Sequence, residues 1–172
     1  YLQGTLLRIK PGLYQLPSDE VPLVLQTGSV IDAIETLYLI DEKNSPVGYL
    51  SGINFANKLG LTTQTAAADY IISNNVANKK REIKINNIRF IINRSRYEVN
   101  RENYKLLQVL DLLPNLKQYS DFTYDESLKE IKKYLRDVKI PLDKMTDIVG
   151  RYPEKAQLLF YQAGLHNDIA QK

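Results

Sequence analysis

The chain has 172 residues, no cysteine, a single histidine, 44% hydrophobic and 25% charged side chains, and a formal net charge of +3. That composition suits one good-sized folded core, or a core with a small appendage, and excludes a disordered chain, a disulfide framework and thiolate metal sites. No apolar run approaches the ~18 residues of a membrane span and no signal peptide is legible, so a cytoplasmic protein without membrane contact is expected.

Thr5–Lys10 and Leu13–Leu16 alternate apolar and polar residues around Pro11-Gly12, a pair suited to a type II turn. A β-hairpin is expected there, with Arg8 and Lys10 near its tip. The first residue is Tyr1, not Met, and the hairpin has nothing in front of it, so the sequence reads as an expressed piece, a processed chain or the ordered part of a longer one. Ser18-Asp19-Glu20 and Pro22 break the pattern. Ser29–Ile40 is apolar at helical spacing through Ile31, Ile34, Leu37 and Leu39, with Asp32 and Glu35 early, where the helix dipole favours acids. Asp41–Pro46 reads as a loop.

Ser51–Leu59 reads as a short helix with Ser51 at its N-cap and Gly60 just past its end. Ile53, Ala56 and either Leu59 or Phe55 would face inward, and Leu61 would make the hydrophobic contact after the cap. Thr62–Thr65 is polar loop, Ala68–Ser73 a strand, and Asn74, Asn75 and Asn78 surround a turn. Lys80–Ile85 and Ile88–Arg94 flank Asn86-Asn87, the spacing of a two-residue hairpin. Pairing outward from that turn sets Ile85 against Ile88, Ile83 against Phe90 and Arg81 beside Ile92 on the core face. Glu82, Lys84, Arg89, Ile91 and Asn93 then share the exposed face.

From Asn103 onward the chain is helical. Leu106, Leu107, Val109, Leu110 and Leu113 form an apolar run that ends at Pro114. Asp125 would cap the next helix, with Leu128, Ile131 and Leu135 inward and Lys129, Lys132, Lys133 and Arg136 outward. Leu142–Val149 follows, stopped by Gly150. A last helix starts at Pro153, buries Ala156, Leu159, Phe160 and Ala163, and stops at Gly164. The fold class is therefore α+β.

Little here looks reactive. His166 lies in the polar C-terminal tail, where solvation is expected; a catalytic triad needs a histidine held by packed neighbours. The chain cannot supply a zinc site, and its eight glycines are scattered rather than gathered into a phosphate loop. No cofactor is expected. One enzyme-like pattern stands out: Asp69 on one strand and Glu82-Ile83-Lys84 on the next. It resembles the core of restriction-type nucleases, in which two carboxylates hold Mg²⁺ and a lysine positions water.

The charge distribution points elsewhere. Residues 79–105 hold nine basic side chains (Lys79, Lys80, Arg81, Lys84, Arg89, Arg94, Arg96, Arg101, Lys105) against three acids, Glu82, Glu98 and Glu102, while residues 106–172 balance. Lys84 and Arg89 would be cross-strand neighbours, a repulsive pair unless something anionic covers them. With Tyr97 and Tyr104 interleaved, the segment suits phosphate or a protein surface, unless the three acids neutralise it locally. The residues expected to touch nucleic acid are Arg8, Lys10, Lys80, Arg81, Lys84, Arg89, Arg94 and Arg96. The remaining tyrosines read as core-edge residues.

Three passages resemble the AbiEi-type antitoxin and transcriptional-regulator family. Leu6–Tyr14 resembles the wing hairpin, with its R-x-(K/R)-x-G-x-Y pattern, that ends the family's winged helix-turn-helix. Tyr49–Gln64 is similar to the signature SG-x-x-AANxLGLTTQ, and Arg81–Arg94 occupies the place of the hairpin R-x-I-x-(G/N)-x-x-I. The match spans roughly residues 5–95, in the right order. The resemblance implies a regulator that represses its own operon and counters a nucleotidyltransferase-like toxin through its C-terminal domain. It implies three regions: a remnant wing over 1–18, a mixed α/β core over 19–105 and a helical region over 106–172. The partners implied are operator DNA, a cognate toxin and a second copy in a homodimer. The groove-entering helices of the family would lie upstream of Tyr1, leaving Arg8 and Lys10 to touch backbone phosphates.

Overall fold

The computed structural model describes residues 7–10, 13–15, 34–85 and 87–171. Strands β1 (Leu7–Lys10) and β2 (Leu13–Gln15) pair antiparallel, with a register shift between Arg8 and Lys10. This is the expected hairpin; Pro11-Gly12, Ser18–Pro22 and residues 29–33 of the stretch expected to be helical lie outside the described residues. Within that stretch a helix, α1, covers 34–38. The loop after it is closed by an Ile40–Pro46 bridge and by the Asp41 carboxylate, which accepts from the Lys43 and Ser45 amides at 2.9 and 2.8 Å.

A four-stranded sheet follows, built from β3 (Gly48–Leu50), β4 (Asp69–Ser73), β5 (Lys80–Ile85) and β6 (Ile88–Arg94) in the spatial order β3-β4-β6-β5. The β5–β6 hairpin has the register read from its sequence: Ile85 opposite Ile88, Ile83 opposite Phe90, Arg81 opposite Ile92. Asn87 takes the left-handed conformation (φ 66°) that the two-residue turn requires. Sequence reading did not anticipate that β6 also pairs with β4, in parallel, from Asp69–Phe90 to Ser73–Arg94. The composition explains it. A central strand has both faces covered and runs nearly continuously apolar. β6 offers Ile88, Phe90, Ile91 and Ile92, whereas β5 is mostly charged and goes to the edge. Ile91, expected on an exposed face, is accordingly 6% exposed.

Each face of the sheet has its own core. Ile71, Ile85, Phe90 and Ile92 pack with Val76 and with Ile34 and Tyr38 of α1. Gly48 makes that approach possible: a Cβ on it would lie 2.0 Å from the Tyr38 carbonyl oxygen and 2.6 Å from that of Ile72. The second core is larger. It joins Tyr49, Phe55, Ala56 and Leu61 to the helical half through Leu106, Leu107, Leu110, Ile131, Ile148 and Phe160. The main core thus crosses the boundary expected at 105/106.

The helical half comprises α3 (Tyr104–Leu112), a 3-10 turn over Leu113–Asn115 that carries the chain past Pro114, α4 (Leu116–Tyr119), α5 (Tyr124–Tyr134), α6 (Leu142–Gly150), α7 (Glu154–Gln162) and α8 (Leu165–Ile169). Upstream, α2 (Gly52–Lys58) follows β3, with Ser51 at its N-cap position but no side-chain cap bond. Phe55 and Ala56 are its buried residues; Gly60 takes φ 73° beyond its end, and Leu61 is fully buried. Two details differ from expectation. Thr123, not Asp125, caps α5: its hydroxyl oxygen accepts from the Glu126 amide while the Glu126 carboxylate accepts from the Thr123 amide, a reciprocal pair that Asp125 cannot make from inside the first turn. Leu142 starts α6 but is 59% exposed; Met145, Ile148 and Val149 supply the buried face. The C-terminus is also no loose tail. Ile140–Pro141 pairs in parallel with Ala170–Gln171, and Leu165 and Ile169 are buried.

Candidate nucleic-acid interface

Among the described residues β5 is the outer strand of the sheet, and no strand pairs with its far side. Lys79, Lys80, Arg81, Glu82 and Lys84 are all exposed, as are Arg89 and Arg94 on β6. Residues opposite each other share a face. Lys80, Glu82, Lys84 and Arg89 therefore project from one side, and Arg81 and Arg94 from the other. The repulsion foreseen between Lys84 and Arg89 is relieved by half. Arg89 turns diagonally to Glu82, donating Nε–H to Oε1 at 2.5 Å. That guanidinium holds the Glu82 carboxyl below its usual range. Lys79, Lys80, Arg81, Lys84 and Arg94 form no ion pair among the described residues.

Neither Glu98 nor Glu102 forms an ion pair with these cations among the described residues. Glu102 accepts from Lys144 of α6 at 2.7 Å. Arg96 is exposed; its guanidinium carbon lies 5.9 Å from the centre of the Tyr152 ring and acts electrostatically on Asp111. Lys105 sits 5.2 Å from the Tyr134 ring, and Arg101 donates to the Asn44 carbonyl at 3.3 Å. Tyr97 and Tyr104 pack at the margin of the main core, so they are not interleaved with the surface cations. Arg8 and Lys10 lie on β1.

The nuclease-like trio is not assembled. Asp69 stands opposite Phe90, which stands opposite Ile83, so Asp69 projects from the face opposite Glu82 and Lys84 and two strands away. Its carboxylate accepts from the Asn54 amide at 2.6 Å, while Glu82 is taken by Arg89. His166 differs from expectation too. It is part of α8 and half-buried, with its ring centre 5.2 Å from that of Tyr161; its Nδ1 is buried and has no hydrogen-bond partner among the described residues.

A polar seam between sheet and helices escaped sequence reading. Gln108 donates to the Leu50 carbonyl at 2.9 Å and accepts from the Tyr134 hydroxyl. One turn on, Asp111 accepts from the Tyr49 hydroxyl at 2.6 Å, and Tyr49 lies 3.3 Å from the Tyr152 hydroxyl. Burial pushes the Asp111 carboxyl up to about 6 against the lowering effects of the Tyr49 bond and Arg96. The same burial, with Asp111 beside it, raises Tyr49 well above the ordinary tyrosine range. The signal was present: Gln108 and Asp111 interrupt an apolar run at a spacing of three, which puts both on one helix face.

The signature-like passage plays a structural part. Asp121, between α4 and α5, accepts from the Thr63 amide and from the Gln64 side chain, both at 3.3 Å, and its own amide donates to the Leu61 carbonyl at 2.8 Å. Asn57 donates to the Gln64 carbonyl at 2.7 Å. Residues 57–64 thereby clasp the helical half to the sheet. Comparison with protein-family models, curated proteins and solved structures finds no match to this chain.

Proposed function

We propose that the chain is an antitoxin-like transcriptional regulator, acting in the cytoplasm, which works by binding: it represses its own operon and counters a nucleotidyltransferase-like toxin. The observation that carries the reading is the set of cations on the edge hairpin that form no ion pair among the described residues. Lys80 and Lys84 on one face, and Arg81 and Arg94 on the other, stand around an open sheet edge beside a single ion pair. Lysines on an edge strand also deter pairing with a neighbouring sheet, but that protection does not account for Arg94 on the central strand. Cations on both sides of an edge strand and its neighbour suit the phosphate rows of a nucleic acid, where such contacts supply affinity and register. The likeness of Tyr49–Gln64 to the AbiEi-type signature supplies the regulatory context. Among the described residues no helix is long and apolar enough to cross a membrane.

The test is retardation of DNA from the chain's own promoter, measured from about 50 to 200 mM salt, with Lys80→Glu/Lys84→Glu as the comparison. Binding should weaken with salt, and the double variant should weaken it further and flatten the salt slope by about 0.9 for each phosphate that is no longer neutralised. Equal retardation by parent and variant would remove the hairpin from the interface. Co-expression with the neighbouring gene tests the antitoxin half; a neighbour that is not toxic, or toxicity that this chain leaves unrelieved, would refute it.

A further inference from the structure

The helical half carries a second surface of different chemistry, to which the hairpin contributes nothing. Helix α7 packs on the Leu113–Asn115 turn and α5 packs on α4, and between α5 and α7 the space stays open as a cavity of ≈ 640 Å³. Its lining includes an apolar set: Leu128 from α5, Leu159 from α7 and Ala163 just past the end of α7, all partly buried margins of the main core. The rim is cationic. Lys117, Lys129 and Lys132 line it against a single acid, Asp125. Lys132 is shared with Asp168 at 3.1 Å, whereas Lys117 and Lys129 make no ion pair among the described residues.

We infer that this groove docks an acidic amphipathic helix of a partner protein. Two helices held apart over an apolar floor leave the channel that a third helix fills by seating its ridge of side chains. The lysines select the rest of the partner: acids flanking the apolar stripe would meet Lys117 and Lys129, while a basic helix would meet like charges. The lining carries one aromatic ring, Tyr124, beside the aliphatic Leu128, Leu159 and Ala163, so apolar packing outweighs base stacking and the occupant is a protein helix. The inference stands on the groove alone and holds whether or not the hairpin binds DNA.

A fluorescent peptide of about 18 residues, with Leu at i, i+3, i+4 and i+7 and Glu and Ala elsewhere, is a suitable probe. Anisotropy with the whole chain should show saturable binding, and the same peptide with Lys for Glu should bind at least about tenfold more weakly. Lys117→Glu/Lys129→Glu, both exposed and remote from the core, should cost about tenfold or more. Leu128→Ser, on the groove lining, should weaken binding while lowering its salt dependence little. Lys80→Glu/Lys84→Glu should leave it unchanged, which separates failure of this inference from failure of the hairpin reading. Three results would overturn the proposal: no preference for the acidic peptide, affinity indifferent to the groove variants, or a single-stranded oligonucleotide that binds the groove in the peptide's place.

Discussion

Replacing Asp111 with asparagine should change how the protein's stability depends on pH, and the seam described above sets the size of the change. The carboxyl ionises near 6 in the folded protein against 3.8 ordinarily, because burial penalises its charge more than Tyr49 and Arg96 compensate. A folded-state value above the unfolded one means that the folded chain holds the extra proton between about pH 4 and 6. This carboxyl therefore contributes least above pH 6 and most in acid; stability falls as pH rises through that window. About two pH units at about 1.4 kcal/mol each come to ~3 kcal/mol. The side-chain amide of the Asp111→Asn variant would keep an acceptor for the Tyr49 hydroxyl and carry no charge to desolvate. Urea unfolding of parent and variant, followed by circular dichroism from pH 4 to 8, isolates the effect. Acids with lowered values, such as Glu82, Glu102 and Glu126, oppose the trend but cancel in the difference. The variant should gain on the parent by about 1–3 kcal/mol between pH 4 and 7. A difference that is flat across the range, or that grows in the opposite direction, would refute the account of a carboxyl held charged at a cost.

Other consequences are simpler to read. Gly48→Ala puts a methyl group against two backbone carbonyls that have no rotamer to yield, so a loss of about 1–3 kcal/mol or more is expected in thermal unfolding, with α1 loosened from the sheet. Thr123→Ala removes the α5 cap and should cost about 1 kcal/mol, whereas Asp125→Ala should cost less than that; equal losses would mean that the reciprocal Thr123–Glu126 pair does not hold the helix start. Asp121→Ala opens the clasp, and amide exchange should quicken at Thr63 while the Tyr49 and Ile92 amides in the sheet stay protected. Glu82→Gln frees Arg89 beside Lys84 and should strengthen retardation of promoter DNA at low salt; weaker retardation would show that the ion pair shapes the surface instead of masking it.

The local rules were legible along the chain. Alternation and the Asn86-Asn87 spacing determined the β5–β6 register residue by residue, because a one-residue slip would carry Ile83, Ile85, Phe90 and Ile92 out of the core. Helical periodicity with its Gly and Pro punctuation likewise located α2, α3, α6 and α7 to within a few residues. The nearest acid, however, is not always the cap: Asp125 was the obvious choice, but the reciprocal geometry of Thr123 and Glu126 decided it. What depended on non-local pairing could not be read. The parallel partnership of β4 with β6 turned β6 into a central strand, buried Ile91 and sent Asp69 and Glu82 to opposite faces. Arg96 and Asp111 are fifteen positions apart in the sequence and found each other only because α3 lies on the sheet. The division has one physical cause. Hydrogen-bond periodicity and side-chain alternation act over a few residues and leave their mark on the sequence, whereas which strand lies beside which, and which charge meets which carboxylate, is settled by how two apolar faces of one sheet are covered.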